Sequence, residues 1–403
     1  MNDRVAYCTI AAANYLSQTV ALYESVQATS PGVPLYTLVV DLEQISLPPV
    51  PEGMTIVGLD SIIPDSTERH NMAAIYDVVE LSTALKPRLL EELLATHEQV
   101  VYLDPDMWLV TPLEELEALI DQHGVVLTPH FLESIPPGER FLPDGQPVIV
   151  SEVHCLTVGF HNLGFCAVGR GGLPFLQWWW DRLCRECLIY PLFGMFVDQK
   201  WTDVGGRLFG AHTLRHYGYN IANHNLHERR FVATENGLRM ETSGEPVRLL
   251  HFSGFDPHKP EQISDRQTVM LADSGLAFDA FDAISLDYAA SVLRADSQLG
   301  ELPEYGYARD CTGAALSKRL RRTYRSELLA GAALPSPFAA EDRKAFVRWR
   351  RRSVGKQLGG AALDAAMAFK YAFPDTFGRI KAADPRRFRA IRSRLLDRGR
   401  VRR

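Results

Sequence analysis

The chain has 403 residues, 46% hydrophobic and 23% charged, which excludes a disordered chain and suits one large α/β domain with an extension. No apolar run approaches the roughly 20 residues that cross a bilayer. The formal net charge of −6 hides a strong polarity: residues 318–403 hold about 24 Lys and Arg against 7 Asp and Glu, near +17, leaving near −23 on the remainder.

Met1-Asn2-Asp3-Arg4 leads straight into the apolar run Val5 to Ala13, without the basic region, longer core and cleavage site of a secretory leader. Arg4 to Ile10 predicts a strand, and Tyr15 to Thr29 a helix with Leu16, Val20, Tyr23 and Val26 on one side, stopped by Pro31-Gly32. Strands follow at Pro34 to Asp41 and Met54 to Leu59, then a helix at Thr83 to Ala95 and a short apolar strand at Gln99 to Leu103. Leu113 to Gln122 predicts a helix and Gly124 to Thr128 a strand. Residues 129–155, rich in Pro and Gly, read as an excursion loop. A second α/β stretch spans Val158 to Phe255, and beyond Asp265 the pattern is mainly helical. The fold class expected is α/β with a mostly parallel central sheet and a helical, basic C-terminal extension.

Six cysteines are scattered along the chain. Cys184-Arg-Glu-Cys187 has the spacing of half a zinc site, but no second pair follows, and it lies in a helix predicted over Gln177 to Ile189. Two half-buried helical thiols in a reducing, cytoplasmic setting are expected.

The segment with the most chemistry is Tyr102-Leu103-Asp104-Pro105-Asp106, two carboxylates just past an apolar strand, where open α/β sheets bind ligands. In an extended segment positions i and i+2 point the same way, so Asp104 and Asp106 would converge on one hard divalent cation. That cation would neutralise a diphosphate as it leaves. Taken alone, the tripeptide is more often a solvated acidic turn; its strand-end position and the other segments reverse that reading. His251, closing the apolar run Leu249-Leu250, adds an imidazole suited to Mn²⁺ or a similar ion, and Lys259 adds a point charge suited to phosphate. Taken alone, His251 is more often a hydrogen-bonded core histidine and Lys259 a surface cation.

Together these segments resemble the GT-A-fold glycosyltransferases, most closely those of family 8, the retaining galactosyl- and glucosyltransferases with glycogenin-like relatives. The blocks match in order over roughly residues 4–265: Ala11-Ala12-Ala13-Asn14-Tyr15 after the first strand, Leu81 to Lys86, the Asp104-Pro105-Asp106 motif, Asn162-Leu163-Gly164-Phe165, Asp198-Gln199, and His251 to Pro260. The resemblance implies Asp104, Asp106 and His251 as ligands of Mn²⁺ (or Mg²⁺), and Lys86 and Lys259 as phosphate contacts. It places Asn14 and Tyr15 near the nucleotide, and Asn162, Asp198 and Gln199 around donor sugar and acceptor. An acidic residue usually precedes the family's Asn-Tyr pair, where Ala12 and Ala13 stand here, so the base of the nucleotide is left open.

An oxygen near the anomeric carbon helps oxocarbenium-like charge, and Asp198 and Gln199 could supply it; an N-terminal helix cap ahead of Trp201 is the bland reading of Asp198. Trp178-Trp179-Trp180 cannot all face one way on a helix and read mostly as core. His130, His154 and the segment Asn220 to Arg230, with Asn225, His227 and Glu228, read as acceptor-side groups or as loop hydrogen bonds.

The expected organisation is a catalytic domain over 1–265, a helical connection over 266–317 and a basic helical extension over 318–403. The expected function is a metal-dependent transfer of a hexose from a nucleotide-diphosphate sugar to a glycan or lipid-linked acceptor, with retention implied by the resemblance. The alternatives are a sugar-phosphate nucleotidyltransferase, disfavoured by the absence of glycine from Ala11 to Tyr15, and a non-catalytic sugar-nucleotide-binding scaffold. Residues 343–356, with Phe346, Val347 and Trp349 among cations, suit either an anionic membrane surface on the cytoplasmic side or the acidic catalytic domain. No nucleic-acid recognition motif accompanies the charge.

Overall fold

The computed structural model describes residues 4–135, 151–262 and 279–386. The chain divides into two compact units: Met1–Ile62 with Ser82–Tyr305, and Ile63–Leu81 with Gly306–Arg403.

In the first unit, β1 (Val5–Ala11), β2 (Leu35–Val39), β3 (Thr55–Gly58), β4 (Gln99–Leu103), β6 (Val125–Pro129), β7 (His161–Gly169) and β10 (His212–Thr213) form a seven-stranded sheet in the order β10-β6-β7-β4-β1-β2-β3. All neighbours pair parallel except β7, which runs antiparallel to both β4 and β6. The sheet is therefore mostly parallel, as the alternation of strands and helices predicts. β1 and β4 are buried at every position, as the near-continuous apolar runs VAYCTIA and QVVYL require of strands covered on both faces.

A smaller sheet joins β5 (Met107–Leu109), β11 (Ile221–Ala222) and β14 (Leu249–His251) in the order β11-β14-β5. Two further pairs, β8 (Ile189–Tyr190) with β9 (Met195–Phe196) and β12 (Phe231–Thr234) with β13 (Gly237–Met240), are antiparallel. The helix Asp279–Leu299 belongs to this unit, packing on the helix Leu16–Thr29 through Ser17–Asp296 (3.0 Å) and Ser291–Glu24 (2.7 Å).

Local differences from the sequence pattern have simple causes. The helix expected over Thr83 to Ala95 is two, Val78–Ala84 and Lys86–Leu93, because Pro87 lacks an amide hydrogen and fits the first turn of a new helix. The tryptophan helix runs Leu173–Glu186 with Pro174 in its first turn, leaving Cys187 at its C-terminal end. All six cysteines are free, Cys184 half-buried and Cys187 buried. Of the expected 129–155 loop, 136–150 lie outside the described residues, whereas Glu152–Val158 is helical.

The second unit is helical. The helices Ser66–Ile75 and Lys318–Leu329 pack together, and Arg321, buried, donates to the carbonyls of Ala73 (2.5 Å) and Tyr76 (2.7 Å), closing backbone acceptors at the end of the first helix, and to that of Tyr307 (2.7 Å). Glu80, fully buried, pairs with Arg322. Among the described residues no helix is long and apolar enough to cross a membrane.

Candidate metal and sugar-nucleotide site

β4 delivers the chain to the C-terminal edge of the sheet at Leu103, and the adjacent, parallel β1 delivers Asn14 and Tyr15 to the same edge, since Cys8 pairs with Tyr102. Asp104 to Asp106 is not extended. The amide of Met107 donates to the Asp104 carbonyl (3.0 Å), closing a turn with Pro105 at its second position, the place Pro prefers. The turn, rather than strand alternation, brings the two carboxylates to one side.

His251 arrives by pairing. β14 runs antiparallel to β5 with His251 opposite Met107, and the Phe252 amide donates to the Asp106 carbonyl (2.9 Å). The His251 Nε2 atom lies 3.2 Å from Asp106 Oδ1 and 3.8 Å from Asp104 Oδ2. One ligand atom from each of Asp104, Asp106 and His251 lies within 4.8 Å of the others. Burial alone would lower the imidazole's pKa, but Asp106 and then Asp104 outweigh it, and the ring is held above its ordinary range.

Neighbours that no sequence pattern announces fix these three side chains. Asn220 holds a left-handed backbone (φ 53°), tolerable for Asn, and its amide nitrogen donates to Thr128 Oγ1 (2.8 Å) and the Asn162 carbonyl (3.4 Å). Its oxygen therefore faces His251 Nδ1 (3.1 Å) and accepts its hydrogen bond, so Nε2, which points to the carboxylates, is the nitrogen that would turn to a metal once its own proton is released. Tyr102 donates its hydroxyl to Asp104 Oδ1 (2.7 Å), and the Asp104 amide donates to the Gly164 carbonyl (2.7 Å).

Gly164 is glycine for a spatial reason. A Cβ there would stand 2.6 Å from His251 Cε1 and 2.7 Å from Met107 Cε. Gly164→Ala is expected to push the imidazole off its position and weaken Mn²⁺ binding roughly 10–100-fold. A calorimetric Mn²⁺ titration beside the unaltered chain checks this; equal affinity would remove the packing argument.

Lys86 is buried, with only 2% of its side chain exposed. Its ammonium lies 2.9 Å from Asp198 Oδ2 and 3.4 Å from Asp104 Oδ1, donates to the Leu163 carbonyl (2.7 Å), and sits 4.5 Å from the Tyr102 ring centre. Burial works against the charge, yet Asp104 and Asp198 hold the ammonium above the usual lysine range. Asp198 precedes the helix Gln199–Leu208 without a side-chain cap hydrogen bond; its carboxylate turns to Lys86 instead. The turn is made at Val197, whose φ of 38° is rare for a β-branched residue, and the Trp179 indole N–H donates to the Asp198 carbonyl (3.3 Å). Trp179 is fully buried and Trp178 packs edge-on to Trp201.

The remaining expected residues are distributed as follows. Asn162, buried, accepts from the Gly164 amide through its side-chain oxygen (3.0 Å), and Gln199 donates to the Val158 carbonyl (3.1 Å). Asn14 is exposed and Tyr15 half-buried. Lys259 is exposed on the loop after β14 and pairs with Asp256 at 3.5 Å. In the acceptor-side segment, Asn225 bonds the Ala222 amide and the His130 and Asn220 carbonyls, while Glu228 accepts from the Leu132 and Glu133 amides. Loop hydrogen bonding accounts for both. Burial first of all pushes the His130 imidazole down to about 4, so it is neutral at physiological pH.

Asp104, Asp106, His251, Lys86 and Asp198 thus form one connected cluster at a strand end, able to offer two carboxylate oxygens and an imidazole nitrogen to a hard or borderline divalent cation.

No family model matches the chain. It is similar to Uncharacterized protein YfnF of Bacillus subtilis (strain 168), 25% identical over 266 residues, which make up 62% of this chain and 81% of that protein. Among solved structures it is similar to the galactosyltransferase LgtC in complex with donor and acceptor sugar analogues, at 15% identity and a TM-score of 0.37, covering 74% of this chain and 98% of that one. It is also similar to the glycosyltransferase GlyE of Streptococcus pneumoniae TIGR4, at 12% identity and a TM-score of 0.38, covering 75% of this chain and 66% of that one.

Proposed function

We propose that this chain is a GT-A-type glycosyltransferase that moves a hexose from a nucleotide-diphosphate sugar to a glycan or lipid-linked acceptor, with retention at the anomeric carbon. The observation that carries the reading is the convergence of Asp104, Asp106 and His251 at the C-terminal edge of a mostly parallel sheet. In this reading the three side chains hold Mn²⁺ or Mg²⁺, which supplies Lewis acidity toward a leaving diphosphate.

This chain's own residues do the rest. Asn14 and Tyr15, past the end of β1, flank the nucleotide, and Lys259 on its exposed loop adds positive charge for the diphosphate. Asn162, Asp198 and Gln199 surround the hexose. The Asp198 carboxylate is held by Lys86 beside the ligand Asp104, so it offers fixed negative charge near a developing oxocarbenium ion. The bond from anomeric carbon to phosphate oxygen breaks, the acceptor hydroxyl oxygen bonds to that carbon, and the hydroxyl proton passes to the departing phosphate oxygen.

A panel of uridine, guanosine, adenosine and thymidine diphosphate hexoses, assayed with Mn²⁺, tests the reading. Release of nucleoside diphosphate from one donor, abolished by chelator, is the expected result, and it names the base that Ala12 and Ala13 leave open. Release of inorganic pyrophosphate from a nucleoside triphosphate and a sugar phosphate would make the protein a nucleotidyltransferase instead. Binding of a donor without turnover on any acceptor would leave a scaffold.

A further inference from the structure

We propose that the helices Val354–Ala372 and Pro374–Ala383 of the second unit form a face that lies on the surface of an anionic lipid bilayer. The aromatic and cationic stretch just before them is committed inside the unit. Phe346 is fully buried, the Trp349 indole N–H donates to Glu327 (3.1 Å), and Arg350 pairs with the buried Asp310 (2.7 Å). The cations Lys318, Arg319 and Lys356 are likewise matched to Asp77, Asp364 and Glu327.

The two helices that follow are different: neither contains a buried residue. In the first, Val354, Leu358, Ala361, Ala365, Ala368 and Ala372 recur at alternating four- and three-residue steps, one apolar stripe, and every one of them is exposed. Leu358 is 67% exposed, Tyr371 58%, Phe373 57% and Ile380 51%. A soluble surface does not ordinarily leave such a run of large apolar groups in water.

Charge selects the occupant. Arg351, Arg352, Lys370, Arg379, Lys381 and Arg386 are exposed along this stretch against the exposed Asp375 and Asp384, and the sequence of residues 387–403 adds eight Arg against one Asp. A second copy would bring like charges together, whereas an anionic headgroup layer attracts them while Leu358, Phe373 and Ile380 enter the acyl boundary. Tyr371, with the Lys370 ammonium 5.0 Å from its ring centre, suits the interface itself. The inference stands independently of the transferase reading, since the membrane assay involves no turnover.

The test is co-sedimentation of the full chain with phosphatidylcholine vesicles alone and with about a third phosphatidylglycerol. The chain is expected to pellet with the anionic vesicles only, and less so as salt rises. The double variant Leu358→Glu with Phe373→Glu, both at exposed positions, is expected to pellet roughly fivefold less with an unchanged far-ultraviolet circular dichroism spectrum. Pelleting of this variant equal to the unaltered chain would overturn the proposal, leaving charge alone as the cause. Absence of binding to anionic vesicles, with a dimer in sedimentation velocity that the variant splits, would overturn it in favour of a second copy.

Discussion

Asp106→Ala is expected to lower Mn²⁺ affinity by roughly 100-fold or more, and metal-dependent turnover of a sugar nucleotide by roughly 1000-fold, while leaving the thermal unfolding midpoint of the metal-free protein nearly unchanged. The two halves of this expectation come from the same geometry. Asp106 is one of three side chains gathered within 4.8 Å that could hold a metal ion, and no other described residue belongs to that cluster, so nothing there would replace it. Without metal, however, Asp106 shares a turn with Asp104, and removing one of two neighbouring carboxylates relieves like-charge repulsion as it gives up the 3.2 Å contact to His251. The turn itself is closed by backbone and Pro105, not by the Asp106 side chain. Calorimetric Mn²⁺ titration, thermal unfolding in chelator and turnover on the donor found by the panel check the three parts. Full activity of this variant, or of the unaltered chain in chelator, would refute the metal-dependent mechanism.

What the sequence disclosed about this site and what it hid differ in range. The apolar run QVVYL ending at Asp104 is local, and it marked β4 and the strand end at which Asp104 and Asp106 stand. His251 was visible for the same reason, an apolar run that stops at an ionisable residue. Their approach depends on the antiparallel pairing of β14 with β5, in which Leu250 meets Trp108 across 142 positions of sequence, and no local signal specifies such a pairing. The expected route of convergence, alternation along an extended strand, gave way to a turn because Pro105 suits a turn better than a ladder.

The supporting residues were harder still. Asn220 matters through a left-handed backbone and an amide whose other end is committed to Thr128 and Asn162, and none of that has a motif. Gly164 stood in a recognisable segment, but its reason, the close approach of His251, exists only after folding. At the level of the fold, the alternation of elements conveyed a mostly parallel sheet, yet nothing in residues 63–81 announces that they pack with the helices beyond Gly306. Arg321 donating to Ala73 and Tyr76 is a contact across some 245 positions.

Lys86 carries the second large expectation, one that separates two roles for the same charge. A lysine that mainly contacts a bound diphosphate would contribute little to folding, and replacing it would weaken nucleotide binding at constant stability. The ammonium of Lys86 is instead enclosed, 2.9 Å from Asp198, whose own side chain is only 2% exposed. Lys86→Met keeps most of the stem volume but leaves the Asp198 carboxylate buried beside Asp104 with its cation removed, and leaves the Leu163 carbonyl without this donor. Removal of one partner from such a pair is expected to destabilise the protein by about 3–5 kcal/mol. Urea unfolding followed by tryptophan fluorescence reads this directly, because Trp179 is bonded to the Asp198 carbonyl and reports on the same region. Adding Asp198→Asn to Lys86→Met removes the stranded charge and is expected to restore at least about half of the lost stability, without restoring turnover. A Lys86→Met protein as stable as the unaltered chain would return Lys86 to the phosphate role and break the link drawn between the metal carboxylates and Asp198.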